Sequence, residues 1–432
     1  MKNQIISAVL FSLCLMSVTT VYAKPISIEQ IESDISYLAS DAMKGRGNFS
    51  PEIAMAADYI AQRFKGIGLK APEQYPDYKQ TFKLHLLKSE DVSLTLNETS
   101  FAADDLLGFT KNESLTFNDQ SDTKITTVGL GDDFRATISS ANNVGGNHLF
   151  LVHPTHKQMF SRYQNFMKSG RPMLDVKADG ALIAVMTDIT DVETVSGSIT
   201  MNISSTSVSN VIGIIPGKSD EQIIFSAHYD HLGALGDDIY NGADDNASGV
   251  TAVLGLAQYY ATMDKPERTL VFISFGAEEE GILGSEYYTR TIDADTVVAM
   301  INMEMVGTES AFGAGKVWMT GSDRSDLRDL MNQSLDEAQH IEADPYAKFN
   351  LFYRSDNASL ARLGVPAHSF SSTEIDKIDH YHKPNDDIAV INMNSLYQST
   401  LLLAKATESL ANGTVTPARV EPIAARARGK IY

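Results

Sequence analysis

The chain has 432 residues, 43% of them hydrophobic, and a formal net charge of −20. That length suits two or three ordinary domains, or one large α/β domain with an insertion, and the apolar content can fill a sizeable core. Nucleic-acid binding needs a basic face, so an acidic balance of this size argues against a nucleic-acid partner.

Residues 1–23 read as a signal peptide. Lys2 supplies the positive start, Ile5 to Met16 the apolar stretch, and Val21-Tyr22-Ala23 the small-residue cleavage site. The apolar stretch is short for a bilayer span. Cleavage after Ala23 is expected, with export to the periplasm or the exterior and no membrane attachment afterwards. The one cysteine, Cys14, falls inside this segment. The mature chain is therefore expected to lack disulfides and thiolate ligands, so any zinc must sit on His, Asp and Glu.

Residues 24–89 read as a helical N-terminal part of the main domain. Ile28, Ile31, Ile35 and Leu38 recur at helical spacing. Asp41 to Asn48 is a loop. Ser50-Pro51-Glu52 marks a helix start with Ser50 as N-cap. Ile53, Ala57, Ile60 and Phe64 make a buried stripe, and Gly66 a stop. Residues 90–205 are richer in Ser, Thr, Asn and Asp, with short β-type runs at Ile125–Val128, His148–Val152 and Ala181–Val185. They read as a β-rich insertion. Its histidines, His148, His153 and His156, have no carboxylates at useful spacing and read as surface or turn residues.

Residues 206–411 change to strand, turn, helix. Continuous apolar runs lie at Ser209–Ile215, Gln222–His228, Thr269–Phe275 and Val297–Met303. Helical patterns cover 247–262 and 325–339, Lys316–Thr320 and Pro366–Phe370 are further strands, and Ser395–Leu410 closes with a helix. Such alternation predicts an α/β fold with a mixed, mostly parallel central sheet flanked by helices. The basic tail, 412–432, reads as extended or poorly ordered.

The chemistry gathers at the ends of these runs. A-H-Y-D-H-L-G spans 227–233, G-A-D-D-N-A-S-G 242–249 and G-A-E-E-E-G 276–281; N-M-E-M-V-G (302–307) and H-Y-H-K-P-N-D-D (380–387) follow. In open α/β sheets ligands bind at the carboxyl ends of strands. Any one of these residues alone could cap a helix or face solvent. Together they offer the imidazoles and carboxylates that hold zinc.

These motifs resemble those of the secreted bacterial zinc aminopeptidases with two co-catalytic metals, the clan MH group that also contains glutamate carboxypeptidase. The likeness is strong over about 206–390. It extends to A-S-D-A-M-K-G-R and A-A-D-Y-I-A-Q-R-F near the start, and the insertion sits where many members carry a protease-associated domain. The resemblance implies two Zn2+ per chain, with His228 and Glu304 on the first, Glu279 and His382 on the second, and Asp245 rather than Asp244 bridging. It makes Glu278 the general base and Asp230 the carboxylate that orients His228. His231, His380 and Glu280 are then bystanders. Tyr381 fits an oxyanion contact and Arg354 a contact near the substrate's amino end. Glu304 stands where Asp is usual, one methylene longer, and Asn357 where His is frequent. The implied activity is aminopeptidase action on peptides with free N-termini. A carboxypeptidase or dipeptidase on the same site, a glutaminyl cyclase and a non-catalytic binding domain are the alternatives, in that order.

Overall fold

The computed structural model describes residues 26–119, 121–141, 145–176 and 180–422. The expected signal segment lies outside them. The fold is α/β. Four parallel strands form the centre of the large sheet, in the order Arg268–Phe275, Ser219–His228, Val297–Met303, Ala367–Ser371. Antiparallel pairing takes over on both sides: Val195–Ile215 runs against Arg268–Phe275, and Trp318–Met319 against Ala367–Ser371. The central strands are buried on both faces, as continuous apolar runs require. Helices Ile28–Leu38, Glu52–Ile67, Gly249–Ala261 and Met393–Ala411 pack one face into the largest apolar cluster. A second cluster containing Ile224, Phe275 and Met300 fills the other.

Two long strands, Lys79–Leu96 and Val195–Ile215, pair along nearly their whole length. They begin in the large sheet and carry the chain outward, so positions 90 and 205 both fall inside continuous strands rather than in linkers. Between them lies a separate four-stranded sheet, Leu106–Thr110, Ala181–Met186, Asn147–Val152 and Thr123–Val128, with its own apolar cluster. The expected β-rich insertion also carries helices Phe134–Ser140 and Lys157–Ser169. The latter buries only Phe160, Gln164 and Met167, a stripe too thin to stand out in a polar segment.

Several boundaries differ from the expectation. The second helix starts at Glu52 after Pro51 and ends at Gly68, whose φ of 98° suits glycine, leaving Gly66 inside the last turn. The expected helix 325–339 shrinks to Leu327–Asn332, because the Asn332 side chain pairs with both backbone groups of Ile341 and draws the chain back. His148 is buried, its Nε2 on the Gly145 carbonyl, rather than at the surface. The tail is docked as far as it is described: Arg419 donates to the carbonyls of Ala294, Val297 and Leu363. Among the described residues no helix is long and apolar enough to cross a membrane.

Candidate metal centre

The strand ends converge as topology demands. His228 closes Ser219–His228, Glu278 and Glu279 follow Arg268–Phe275, and Glu304 follows Val297–Met303. Asp245 enters from the turn before Gly249–Ala261 and His382 from the loop after Ala367–Ser371. All six line one open cavity with Tyr381 and Arg354.

Asp245 turns its two oxygens toward different partners. Oδ1 lies 3.3 Å from His228 Nε2, and that nitrogen lies 3.3 Å from Glu304 Oε1. Oδ2 lies 3.2 Å from His382 Nε2, which is 3.4 Å from Glu279 Oε2. Four donors at zinc bond lengths of roughly 2.0–2.1 Å in a tetrahedron stand about 3.3 Å apart. The side chains therefore already keep the spacing of two metal shells that share one carboxylate.

A residue expected to be a bystander joins the second group. His231 is buried, with Nδ1 2.8 Å from Glu279 Oε1 and 4.0 Å from Asp245 Oδ2. Among the described residues neither His231 nitrogen nor Glu279 Oε1 has a hydrogen-bond partner. Two buried polar atoms in near contact but out of hydrogen-bond alignment are costly unless a third atom satisfies both. Among the described residues, the groups that can hold a metal are accordingly His228, Asp245 and Glu304, and His231, Asp245 and Glu279. The doubled His in A-H-Y-D-H was visible in the sequence; what was missing was the tight turn that brings the second ring back. Gly242, at φ 56°, makes part of that fit, since a Cβ there would stand 2.5 Å from the His231 ring.

The electrostatics ask for cations. Burial works against a charged His228, yet Glu304, Glu278 and Asp245 around it raise its proton affinity well above the usual. Burial favours the neutral form of Asp245 too, but His228, His382 and His231 outweigh it and hold the carboxyl well below the normal range. Glu278 goes the other way. Burial, with Glu279, Glu304 and Asp356 nearby, pushes its carboxyl well above the usual value despite His228.

The support beneath the donors differs from the expected one at Asp230. The His228 Nδ1 partner is the Asp230 backbone carbonyl, at 3.1 Å, while the Asp230 carboxylate stands 3.8 Å away. That carboxylate instead accepts the backbone N–H groups of Glu278 and Glu279, and the Asn48 amide at 2.7 Å. Asn48 also accepts the Ala277 N–H. Asp230 thus fixes the loop that carries the two glutamates. Arg46, fully buried, donates to the carbonyls of Leu38, Tyr229, Asn241 and Gly242, tying the His228 and Asp245 loops together. Neither Asn48 nor Arg46 carries a periodic signal, and each acts on loops far away in sequence.

Asp244 faces away from the donors, accepting from Gly307 N–H and Thr373 Oγ1. Asp386 accepts the N–H groups of both Asp244 and Asp245, which fixes the backbone from which the Asp245 side chain projects. Glu304 spans its extra methylene with a 2.6 Å hydrogen bond from Ser355 Oγ to its second oxygen. Asn357 is buried and bonded to Phe352 and Ala367 carbonyls, away from the cavity. Arg354 donates to Tyr381 Oη at 3.0 Å, and the Tyr381 ring stacks on His382 at 4.0 Å. Burial pushes the Tyr381 hydroxyl up, so it stays a donor. His380 sits on Asp244, apart from the donor set. Glu280, expected to be inert, is pushed up to about 7 by burial, Asp230 and Glu279.

Strain concentrates here. Ala277, Ile282, Met305 and His382 all have positive φ, between 51° and 67°. Side chains with a Cβ pay roughly 1–3 kcal/mol for such backbone, and it persists where surroundings over-determine it.

Comparison with known proteins points the same way. Residues 210–407 match the model of Peptidase family M28. A probable leucine aminopeptidase of Arthroderma otae is 30% identical over 205 residues, 44% of this chain and 53% of that protein. Leucine aminopeptidase 1 of Pyrenophora tritici-repentis is 27% identical over 214 residues, 46% and 55% of the two chains. The chain thus spans about half the length of the curated relatives it matches. The fold resembles that of an aminopeptidase from Aneurinibacillus sp. strain AM-1, with a TM-score of 0.55 and 21% identity over 93% of this chain and 96% of that one. It also resembles a zinc aminopeptidase from Bacillus subtilis, with a TM-score of 0.53 and 18% identity over 94% and 98%. The match to the Peptidase family M28 model thus falls on residues 210–407, the part of the chain that carries the donor side chains.

Proposed function

We propose that the chain is an exported two-zinc aminopeptidase that hydrolyses the first peptide bond of substrates with a free N-terminus. The observation that carries this reading is Asp245, whose two oxygens face two donor groups at metal-shell spacing. His228 and Glu304 would hold one ion; Glu279, His382 and His231 the other. When bound, zinc supplies Lewis-acid polarisation of the scissile carbonyl and lowers the proton affinity of the attacking water.

The chain's own groups do the rest. Glu278 borders the cavity, with Oε2 3.9 Å from His228 Nε2 and no donor role in either group. Its raised proton affinity suits a base that takes a proton from water and gives it to the leaving amine. Tyr381 would donate its hydroxyl to the developing oxyanion, held in place by Arg354. A pocket of about 60 Å³ beside Glu304, walled by Met305, Trp318, Leu351 and Ile375, suits a small apolar first side chain.

A panel of leucyl peptides, free and N-acetylated, tests this on the zinc-loaded chain. Cleavage restricted to free N-termini, lost on chelation and restored by zinc, is expected. Equal cleavage of both forms, or activity indifferent to chelation, would overturn it.

A further inference from the structure

Beside the metal centre lies a cleft of about 600 Å³ between the insertion and the large sheet. Glu279 and Gly281 line both it and the metal cavity, so the two adjoin. Glu280 stands at the metal side. The far side is built by the insertion and includes Lys111 and Arg171.

Lys111 is the unexplained member. Only 8% of it is exposed, and no ion pair or hydrogen bond to its ammonium is found among the described residues. Its ammonium is not among the enclosed polar atoms, so it reaches the cleft, and a lysine head facing a cavity with its nearest carboxylates already engaged is placed to pair with an anionic ligand. Burial lowers the proton affinity of Lys111, and of its charged neighbours Asp175 and Glu286 oppose that while Arg171 and Arg290 add to it. Both carboxylates are engaged by Arg290, at 3.1 and 3.0 Å. Arg171 is fixed beside it, with its guanidinium 5.4 Å from the Phe109 ring centre and 5.3 Å from that of Phe166. The cleft thus carries Glu279 and Glu280 where it meets the metal centre and Lys111 and Arg171 on the insertion side, where the Asp175 carboxylate is held by Arg290.

We propose that this cleft receives the leaving-group part of the substrate, and that Lys111, with Arg171, binds the C-terminal carboxylate of a short peptide. The inference rests on the aminopeptidase reading for what occupies the metal end. It makes the insertion a ruler. The span from metal centre to Lys111 selects substrate length, and the peptide's carboxylate supplies the counter-charge Lys111 lacks. The substrate class becomes free oligopeptides of a few residues, with both termini recognised, rather than the ends of folded proteins.

The test compares Leu-Gly, Leu-Gly-Gly and Leu-Gly-Gly-Gly as acids and as C-terminal amides on the zinc-loaded full chain. At one length the acid should be favoured in kcat/KM by about tenfold or more, the size of a charge-assisted hydrogen bond. Lys111→Met should bring that ratio to about one, chiefly through KM, and Lys111→Arg should restore part of it. A ratio near one at every length in the unaltered chain, or a ratio that survives Lys111→Met, would overturn the proposal. Calorimetric binding of the same acids and amides to zinc-loaded Glu278→Gln reads the cleft without turnover. Acid preference in binding with no hydrolysis by the unaltered chain would sink the aminopeptidase reading and keep the cleft. Hydrolysis without acid preference would do the reverse.

Discussion

Both sheets contain parallel strands whose carboxyl ends point to one edge. In the large sheet that edge carries His228, Glu278, Glu279 and Glu304, all but Glu304 nearly fully enclosed. In the insertion, Asn147–Val152 is parallel to both Thr123–Val128 and Ala181–Met186, and its edge carries His153 and Asp188. Those two stand 3.9 Å apart with 39% and 82% of their side chains exposed, and His156 beside them is bonded to the Gly129 carbonyl. Strand direction is the same, yet one edge concentrates buried charge and the other leaves its polar groups in water. The strand-end rule says where a site can form. Whether one forms depends on loops able to bury several ionisable groups together, and these are the loops that Arg46, Asn48, Asp230 and Asp386 hold.

If chemistry belongs to the first edge alone, its base should be separable from its metals. Glu278→Gln keeps shape and removes the proton acceptor, so turnover should fall by about 10²–10⁴-fold. Metal content, measured by atomic emission after dialysis, should be unchanged, since Glu278 belongs to neither donor group. Loss of zinc along with turnover would move Glu278 into the ligand set.

The insertion can be attacked separately. Phe160 is fully buried in its apolar cluster, 6.4 Å from the Phe134 ring centre. Phe160→Ala should destabilise the insertion by about 3–5 kcal/mol. Limited proteolysis should then cut within the insertion at lower temperature while zinc stays bound. Simultaneous loss of zinc would mean that the shared strands Lys79–Leu96 and Val195–Ile215 fuse the regions into one cooperative unit.

The same contrast explains what the sequence made legible. Doubly buried strands read as uninterrupted apolar runs, and their ends placed His228, Glu278, Glu279 and Glu304 without any contact information. Asp244 and Asp245 could be separated only by resemblance, because what parts their carboxylates is long-range: Gly307 and Thr373 take that of Asp244, while His228 and His382 face that of Asp245. The Asp230 carboxylate was legible as a neighbour of His228 but not as the holder of the Glu278 and Glu279 backbone, which depends on the turn at Ala277. Arg46 and Asn48 lie in a glycine-containing loop with no period to read. Lys111 showed nothing, since its burial comes from packing between two regions that sequence order keeps apart.

His231 tests the finest part of the comparison, how the two donor groups within the active edge differ. The first has three donors at uniform 3.3 Å contacts, with Asp245 and Glu304 each met by a single imidazole nitrogen. The second crowds two imidazoles around Asp245 and Glu279, their ring centres 5.7 Å apart, and one of them, His382, is partly exposed. If His231 is a donor, His231→Ala should weaken the second ion by more than the roughly 100-fold that marks loss of a mere supporting partner, and leave the first in place. Competition against a chelator of known affinity would then show one tight and one weakened zinc, whatever happens to turnover. Two ions held as before would make His231 a packing residue. In that case the misaligned 2.8 Å contact with Glu279 would need another occupant, because two buried, unsatisfied polar atoms do not hold each other in place.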